Sequence, residues 1–175
     1  MKKSAQAAIR PEKAEDIAAI FAVNQQAFKR QDEARLVNVL REQVSPLLSL
    51  VAVVDKAVVG HILFSPVHVE NARRAPQLML GLAPMAVLPE HQSKGIGSLL
   101  VRRGLDACRA AGSGAVVVLG HPEYYPRFGF VPAVQFNLRC EYPVPDNVFM
   151  AIELMPCSLD GCQGTVKYHP AFAGV

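Results

Sequence analysis

Two glycines one residue apart, Gly95 and Gly97, stand where a loop runs into an apolar helical pattern. The first turn of a helix has N–H groups without intrahelical partners and carries a partial positive charge. Glycine lets an anion approach those N–H groups closely, and Lys94 could add a point charge. The stretch QSKGIGS, residues 92–98, is therefore a candidate phosphate-binding loop, and a tight turn without a ligand is the alternative.

The spacing of these residues separates three kinds of nucleotide-binding loop. A Walker A loop needs G-x-x-x-x-G-K-[ST], a spacing that the sequence lacks. A dinucleotide fingerprint needs G-x-G-x-x-G, but Leu100 stands at the third glycine and no acidic residue ends the following strand. The third pattern, [QR]-x-x-G-x-[GA], is matched in full by Gln92, Gly95 and Gly97.

Strands and helices alternate around this loop. Apolar spacing predicts helices within residues 12–28 and 32–44 and a third from about Ile96 to Ala111. The segment 121–130, HPEYYPRFGF, is predicted as a turn or short helix, and Asp55-Lys56 as a hairpin turn. Runs rich in β-branched residues predict strands at 7–11, 48–54, 57–70, 77–88, 114–120, 133–142 and 147–155. The order predicts a mixed α/β domain with a central strand–loop–helix–strand unit.

The segment from Leu82 to Gly112, LAPMAVLPEHQSKGIGSLLVRRGLDACRAAG, is followed by YYPRFGF at residues 124–130. Here the chain resembles the GNAT superfamily, the GCN5-related N-acetyltransferases, and in particular small bacterial acetyltransferases of the YhbS type. The resemblance is dense up to Pro132 and extends more loosely over residues 9–155. It implies the GNAT fold: a mixed, mostly antiparallel twisted sheet with helices on both faces and a splayed pair of central parallel strands. We expect a single domain over residues 1–175, with a core at about 7–156 and a C-terminal extension at 157–175.

The resemblance also implies the cofactor, acetyl-CoA without a metal, and residues that would hold it. The backbone of Met85, Ala86 and Val87 would pair with the pantetheine arm, and one of their N–H groups would face the thioester carbonyl as an oxyanion donor. The pyrophosphate would lie on the N–H groups of Gln92, Ser93, Lys94, Gly95, Ile96, Gly97 and Ser98.

A tyrosine is the proton donor that the resemblance implies for the departing thiolate. The family form F-Y-x-x-x-G-F aligns with YYPRFGF and places Tyr125 in this role, with Tyr124 as its neighbour. An ordinary tyrosine pKa near 10 keeps the hydroxyl protonated. Packing of Tyr125 against the sheet edge is the alternative.

The sequence leaves the general base open. Many relatives carry a carboxylate on the strand before the loop, and residues 77–88 contain none. Candidates elsewhere are Glu33, His61, Glu70, His121 and Glu123, and a water chain is a further alternative.

Composition limits the classes of function. The chain has 175 residues and a net charge of +3, with 51% hydrophobic and 19% charged residues, as in a globular protein without a basic stripe for nucleic acid. Neither a signal peptide nor a membrane-spanning run is visible, so we expect a cytoplasmic protein. Cys157 and Cys162 favour reduced thiols over a disulfide or a redox pair. Residues 161–172 would cap an acceptor pocket, pair at a sheet edge or form a partly ordered tail.

The leading hypothesis is an acetyl-CoA-dependent N-acyltransferase. It would move an acetyl group to an amine of a small molecule or protein by direct attack in a ternary complex. A non-catalytic sensor or interaction module that binds CoA is the alternative, and a nucleic-acid binder is disfavoured. A homodimer is implied by the resemblance alone.

Overall fold

The computed structural model describes residues 7–175. Within that range three α-helices are formed: α1 (Ile17–Phe28), α2 (Asp32–Gln43) and α3 (Ile96–Ala110). The strands are β1 (Ala8–Pro11), β2 (Leu48–Val54), β3 (Ala57–Pro66), β4 (His68–Glu70), β5 (Met79–Val87), β6 (Ala115–Leu119), β7 (Val131–Pro132), β8 (Leu138–Cys140), β9 (Phe149–Glu153) and β10 (Gly164–Lys167).

The main sheet has seven strands in the spatial order β1-β2-β3-β5-β6-β9-β7. Its pairs are antiparallel except for β5 and β6, which run parallel at the centre. A parallel pair needs a crossover connection, and α3 supplies it. The predicted GNAT fold class, with a central parallel pair in a mostly antiparallel sheet, is confirmed.

The two faces of the sheet carry different helices. Ile62 and Phe64 of β3 pack with Leu100 and Leu105 of α3, whereas Leu63 packs with the buried residues of α1 and α2. Because successive side chains of a strand point to opposite faces, α3 lies on one face and α1 and α2 on the other. The predicted placement of helices on both faces is therefore confirmed.

The β2–β3 connection is the hairpin that the sequence predicts. Val54 pairs with Ala57, and the two residues between them, Asp55 and Lys56, have φ values of 48° and 68°. Positive φ at both central positions is the geometry of a type I′ turn, which matches the twist of the flanking strands.

Two predicted strands differ from the structure. Residues 57–70 form two strands, because β3 ends at Pro66 and β4 pairs with β10 in a second sheet of order β4-β10-β8. Residues 133–142 were predicted as one strand of the main sheet. Ala133–Phe136 is instead a 3-10 helix that Asn137 ends with a φ of 57°, and β8 then pairs with β10.

The C-terminal segment forms the centre of this second sheet. β10 pairs antiparallel with β4 and parallel with β8, so the segment 161–172 does pair with other strands. All four cysteines are free thiols: Cys108 and Cys162 are buried, Cys140 is half-buried and Cys157 is exposed. None of the helices described between residues 7 and 175 is long and apolar enough to cross a membrane.

Candidate functional site

The loop before α3 presents a row of unused backbone donors. The first backbone hydrogen bond of the helix runs from Leu99 N to Gly95 O, at 3.0 Å. The six N–H groups from Ser93 to Ser98 donate to no carbonyl or side chain among residues 7–175. Ser93 and Gly95 have φ values of 58° and 81°, and alternation of left- and right-handed residues turns consecutive N–H groups toward one point. The arrangement is an anion-binding concavity at the positive end of a 15-residue helix.

Two side chains of the loop have structural partners. Gln92 donates from Nε2 to the carbonyl of Val87 at 2.9 Å, and its own N–H donates to Pro89 O. Gln92 therefore ties the loop to the end of β5. The Lys94 ammonium donates to Glu90 O at 2.6 Å on the protein surface.

Strand β5 has an open edge beside this loop. Its last pair with β6 is Leu82 with Val118, whereas its pairing with β3 continues to Val87. Leu88 N donates to Val59 O, so the alternation of an antiparallel pair turns the N–H of Ala86 toward β3. The N–H groups of Met85 and Val87 then point away from β3, into the gap between β5 and β6. The predicted splayed pair is present.

A cavity of about 1240 Å³ joins the loop to this gap. Eight of the predicted site residues line it: Met85, Val87, Gln92, Ser93, Gly95, Gly97, Ser98 and Tyr125. Three others do not line it. Ala86 and Ile96 are buried in the core, and Lys94 lies at the surface. No group of three or more His, Cys, Asp or Glu side chains in residues 7–175 is placed to hold a metal ion.

Tyr125 begins the 3-10 helix Tyr125–Phe128 that follows β6, and it is 7% exposed. Its ring meets Phe130 edge to face at a centroid distance of 5.6 Å and fills the space beside Gly120. Burial raises the pKa of Tyr125 above its ordinary value, and the neighbouring Tyr124 adds to the effect. The hydroxyl is therefore a protonated donor at neutral and moderately alkaline pH.

Tyr124 reaches the first turn of α3. Its hydroxyl lies 2.8 Å from the place that a Cβ on Gly97 would occupy. The Arg127 guanidinium carbon stands 4.4 Å from the Tyr124 ring centroid, a cation–π contact, and both residues line the cavity. The loop, the open edge of β5 and the two tyrosines thus surround one space.

The family model described as "Acetyltransferase (GNAT) domain" matches residues 8–133. The chain belongs to the GNAT acetyltransferase family. It is 38% identical over 158 residues to the uncharacterized N-acetyltransferase YhbS of Escherichia coli K12, covering 90% of this chain and 93% of YhbS.

Two solved structures of this family are similar to the chain. The crystal structure of YhbS from Escherichia coli in complex with CoA has a TM-score of 0.89 and 36% identity, covering 99% of this chain and 95% of that one. The structure of a GNAT family acetyltransferase from Brucella melitensis in complex with acetyl-CoA has a TM-score of 0.77 and 38% identity. It covers 95% of this chain and 98% of that one.

The candidate bases of this GNAT chain lie in different places. Glu33 and His121 line the cavity, whereas His61, Glu70 and Glu123 do not. Glu33 is 5% exposed, and Arg30 donates from Nε to both of its carboxylate oxygens, at 3.0 and 3.1 Å. Glu70 lies in the second sheet with its Oε2 3.9 Å from the Lys167 ammonium.

His61 belongs to a buried polar network on the α1 and α2 face. Asn24 Nδ2 lies 3.1 Å from His61 Nδ1, and His61 Nε2 lies 2.9 Å from Ser49 Oγ. Ser49 donates in turn to Glu12, which also accepts from Arg41 Nε at 2.7 Å. Donation therefore runs in one direction from Asn24 to Glu12, which requires a neutral imidazole with its proton on Nε2. Burial lowers the pKa of His61 to about 4, although Glu12 acts to raise it.

The cavity also has an aromatic wall, of which the sequence indicated only the part in residues 161–172 and not Tyr142 or Phe28. Tyr142, Tyr168 and Phe172 line it together with Phe28 of α1. The Tyr142 and Tyr168 ring centroids are 6.0 Å apart, and those of Tyr168 and Phe172 are 5.3 Å apart. Aromatic residues at the ends of the C-terminal segment were the available signal, but only the pairing of β10 with β8 brings them together.

Proposed function

We propose that the chain is an acetyl-CoA-dependent N-acyltransferase that moves an acetyl group to an amine of a small molecule or protein by direct attack in a ternary complex. The proposal rests on the observation that the loop before α3, with its six free N–H groups, and the open edge of β5 border the same cavity. Ser93, Gly95, Gly97 and Ser98 line that cavity from the loop. Similarity to YhbS, solved with CoA, and to the Brucella melitensis protein, solved with acetyl-CoA, supports the choice of cofactor.

The residues of the loop fit the anionic part of this cofactor. A pyrophosphate has oxygen acceptors and negative charge, and residues 93–98 offer unpaired donors at a helix N-terminus. In this assignment the backbone of Ser93, Gly95, Gly97 and Ser98 binds the pyrophosphate. The side chain of Gln92 holds Val87 in place through its 2.9 Å hydrogen bond.

The open edge of β5 fits the pantetheine arm. Acetyl-CoA supplies the acyl group as a reactive thioester. The N–H groups of Met85 and Val87 point into the gap, where one of them would donate to the carbonyl oxygen as negative charge develops on it. Pro84 has no N–H to donate, and it lies where the register between β3 and β5 shifts, between Met85 and Leu82.

Tyr125 would hold the proton that a departing thiolate needs. Its hydroxyl stays protonated because burial raises its pKa, and Tyr125 lines the same cavity as Met85 and Val87 of the open edge of β5. Glu33 and His121 are the two candidates that line the cavity for the opposite task, removal of a proton from the attacking ammonium. A cytoplasmic location and a homodimer stay predictions.

The test measures how much acetyl-CoA raises the unfolding temperature of the wild type and of a variant that carries a negative charge at Ser98. Ser98→Glu adds a carboxylate in the first turn of α3, where it suits the helix dipole but repels a phosphate. Ser98→Gln is the matched control of equal size without charge. At about 100 times its dissociation constant the cofactor should stabilise the wild type and the control by about 2.7 kcal/mol, and Ser98→Glu much less.

Absence of any shift at millimolar acetyl-CoA would refute the assignment of the cofactor. A shift accompanied by no acetylated product from any amine would instead favour the non-catalytic sensor. Product formation, measured by release of the CoA thiol and mass increase of the amine, supports the transferase.

A further inference from the structure

We propose that the aromatic wall, Tyr142, Tyr168 and Phe172, is an acceptor subsite that selects small primary amines with one positive charge and an aromatic or branched aliphatic body. The proposal rests on the proposed function and names the substrate class for the same cavity. Four observations carry it: the position of the wall, its composition, an unpaired hydroxyl in it, and the charges around it.

The wall stands on the side of the sheet from which an acceptor would reach the acyl group. Tyr168 Cε1 lies 2.9 Å from the place that a Cβ on Gly81 would occupy. Gly81 directly precedes Leu82, the last residue of β5 that pairs with β6. Gly81 alternates with Leu80 and Leu82, which pack on the α3 face, so Tyr168 covers the opposite face. The phosphate-binding loop and the wall therefore approach the gap from opposite sides.

The wall is a surface that suits an apolar body and an ammonium group. Its three rings lie at successive centroid distances of 6.0 and 5.3 Å, and Phe28 and Leu36 line the cavity from α1 and α2. Aromatic rings bury a large apolar area, and their faces attract cations. An amine with an aromatic or branched aliphatic body satisfies both properties.

The Tyr168 hydroxyl is a buried polar group without a partner. Tyr168 is 7% exposed, and no described residue donates to or accepts from its Oη. Buried hydroxyl groups in folded proteins nearly always have a hydrogen-bond partner. The oxygen is shielded from solvent, so a polar atom of a ligand becomes its partner only when a ring of the wall turns aside on binding.

Charge separates monoamines from polyamines. Among the described residues that line the cavity, Glu33 has the one side-chain carboxylate, and Arg30 already binds it through both oxygens. A polyamine or an aminoglycoside carries several ammonium groups and would lose their hydration without further carboxylates to replace it. A single ammonium group needs only the faces of the rings and the Glu33 carboxylate, whose charge Arg30 partly neutralises.

The experiment compares amines of different charge and body with the full chain and saturating acetyl-CoA. Phenethylamine and isoamylamine represent the proposed class, spermidine and kanamycin the polycations, and a short peptide the protein N-terminus. We expect kcat/KM for phenethylamine at least about tenfold above the values for spermidine, kanamycin and the peptide. A preference for any of these three overturns the proposal.

Variants locate the effect at the wall. Phe172→Leu and Tyr168→Phe should each raise KM for phenethylamine, Phe172→Leu by about tenfold, with KM for acetyl-CoA unchanged. Phe136→Leu is the matched control, because Phe136 packs in the same hydrophobic cluster but does not line the cavity. An unchanged KM for the amine in both wall variants, or an equal rise in Phe136→Leu, overturns the proposal.

A binding measurement separates this proposal from the proposed function. Calorimetry of phenethylamine with the CoA-loaded protein reports on the wall even when no product forms. Binding that Phe172→Leu weakens supports the wall although catalysis is absent. Turnover of other amines together with no phenethylamine binding refutes the wall and leaves the transferase standing.

Discussion

The Tyr124 hydroxyl lies 2.8 Å from the position that a Cβ on Gly97 would occupy, in the first turn of α3. The Tyr124 ring is held in that position by Arg127, whose Nε donates to Tyr124 O at 3.1 Å and whose guanidinium covers the ring. The glycine therefore serves two purposes: it bares the backbone toward the cavity, and it leaves room for a hydroxyl from the segment after β6.

The contact predicts a reversal in the effect of one methyl group. Gly97→Ala should destabilise the wild type by about 1–2 kcal/mol, because the new Cβ overlaps the hydroxyl and the ring must tilt. In the Tyr124→Phe background the nearest remaining atom is Met85 Cε at 3.7 Å, an ordinary contact. There Gly97→Ala should stabilise by up to about 1 kcal/mol, since alanine is the better helix former.

Denaturant unfolding of the wild type, both single variants and the double variant measures this coupling. Gly112→Ala is a useful comparison, because Gly112 has a φ of 82° and no neighbour within 4 Å, so its cost is strain and Tyr124→Phe should leave it unchanged. Equal destabilisation by Gly97→Ala in both backgrounds would show that Tyr124 does not occupy this space.

The features that the sequence predicted well are those that local chemistry determines. Asp55-Lys56 between two β-branched runs can form little besides a hairpin, and Gly95 before an apolar helical pattern can begin a helix with a left-handed residue. The motifs between Leu82 and Phe130 also indicated most of the residues that line the proposed cofactor end of the cavity, because the loop and the strand before it are close in the chain.

The features that the sequence did not predict depend on contacts between distant segments. Nothing near Ala133 indicates a 3-10 helix, and β8 is a strand only because β10 pairs with it from 26 residues further on, as the Gly164–Leu138 register shows. The neutral state of His61 requires Asn24 from α1 and Ser49 from β2. The proposed acceptor end of the cavity combines residues of α1, α2 and the C-terminal segment, and no local pattern specifies that combination.

The buried state of His61 predicts a loss of stability in mild acid. Its pKa is about 4 in the folded protein and about 6.5 in the unfolded chain, so the unfolded state binds the proton first as the pH falls. The stability is complete above pH 6.5 and is lost as the pH falls toward 4. About 2 kcal/mol of the unfolding free energy should be gone by pH 5.

Urea unfolding at pH 7.5, 6.5, 5.5 and 5.0 checks this, with His61→Gln as the control that cannot titrate. Carboxyl groups such as Glu12, whose pKa is lowered in the fold, contribute little above pH 5, because the unfolded chain binds most of its carboxyl protons below that pH. A parallel decline in His61→Gln would assign the loss to other groups and contradict the prediction.

Removal of the Tyr125 hydroxyl should lower kcat and leave the binding of acetyl-CoA nearly unchanged. Tyr125→Phe keeps the ring that packs beside Gly120 and against Phe130, and removes only the hydroxyl. If that hydroxyl protonates the departing thiolate, kcat should fall by about 100-fold, within the range of general acid catalysis. KM for acetyl-CoA and the unfolding free energy should change little. Tyr124→Phe, one residue away, should keep kcat within a few-fold of the wild type.

The pH dependence of the same pair of variants provides the decisive comparison. Burial raises the pKa of Tyr125, so its proton stays in place above pH 10, and the wild-type kcat should show no decline from pH 8 to 10. A decline in that range that Tyr125→Phe abolishes would mean that the hydroxyl titrates normally and lies open to water. An unchanged kcat in Tyr125→Phe, together with a large loss in Tyr124→Phe, would move the acid to Tyr124, whose hydroxyl stands at the start of α3 beside Gly97.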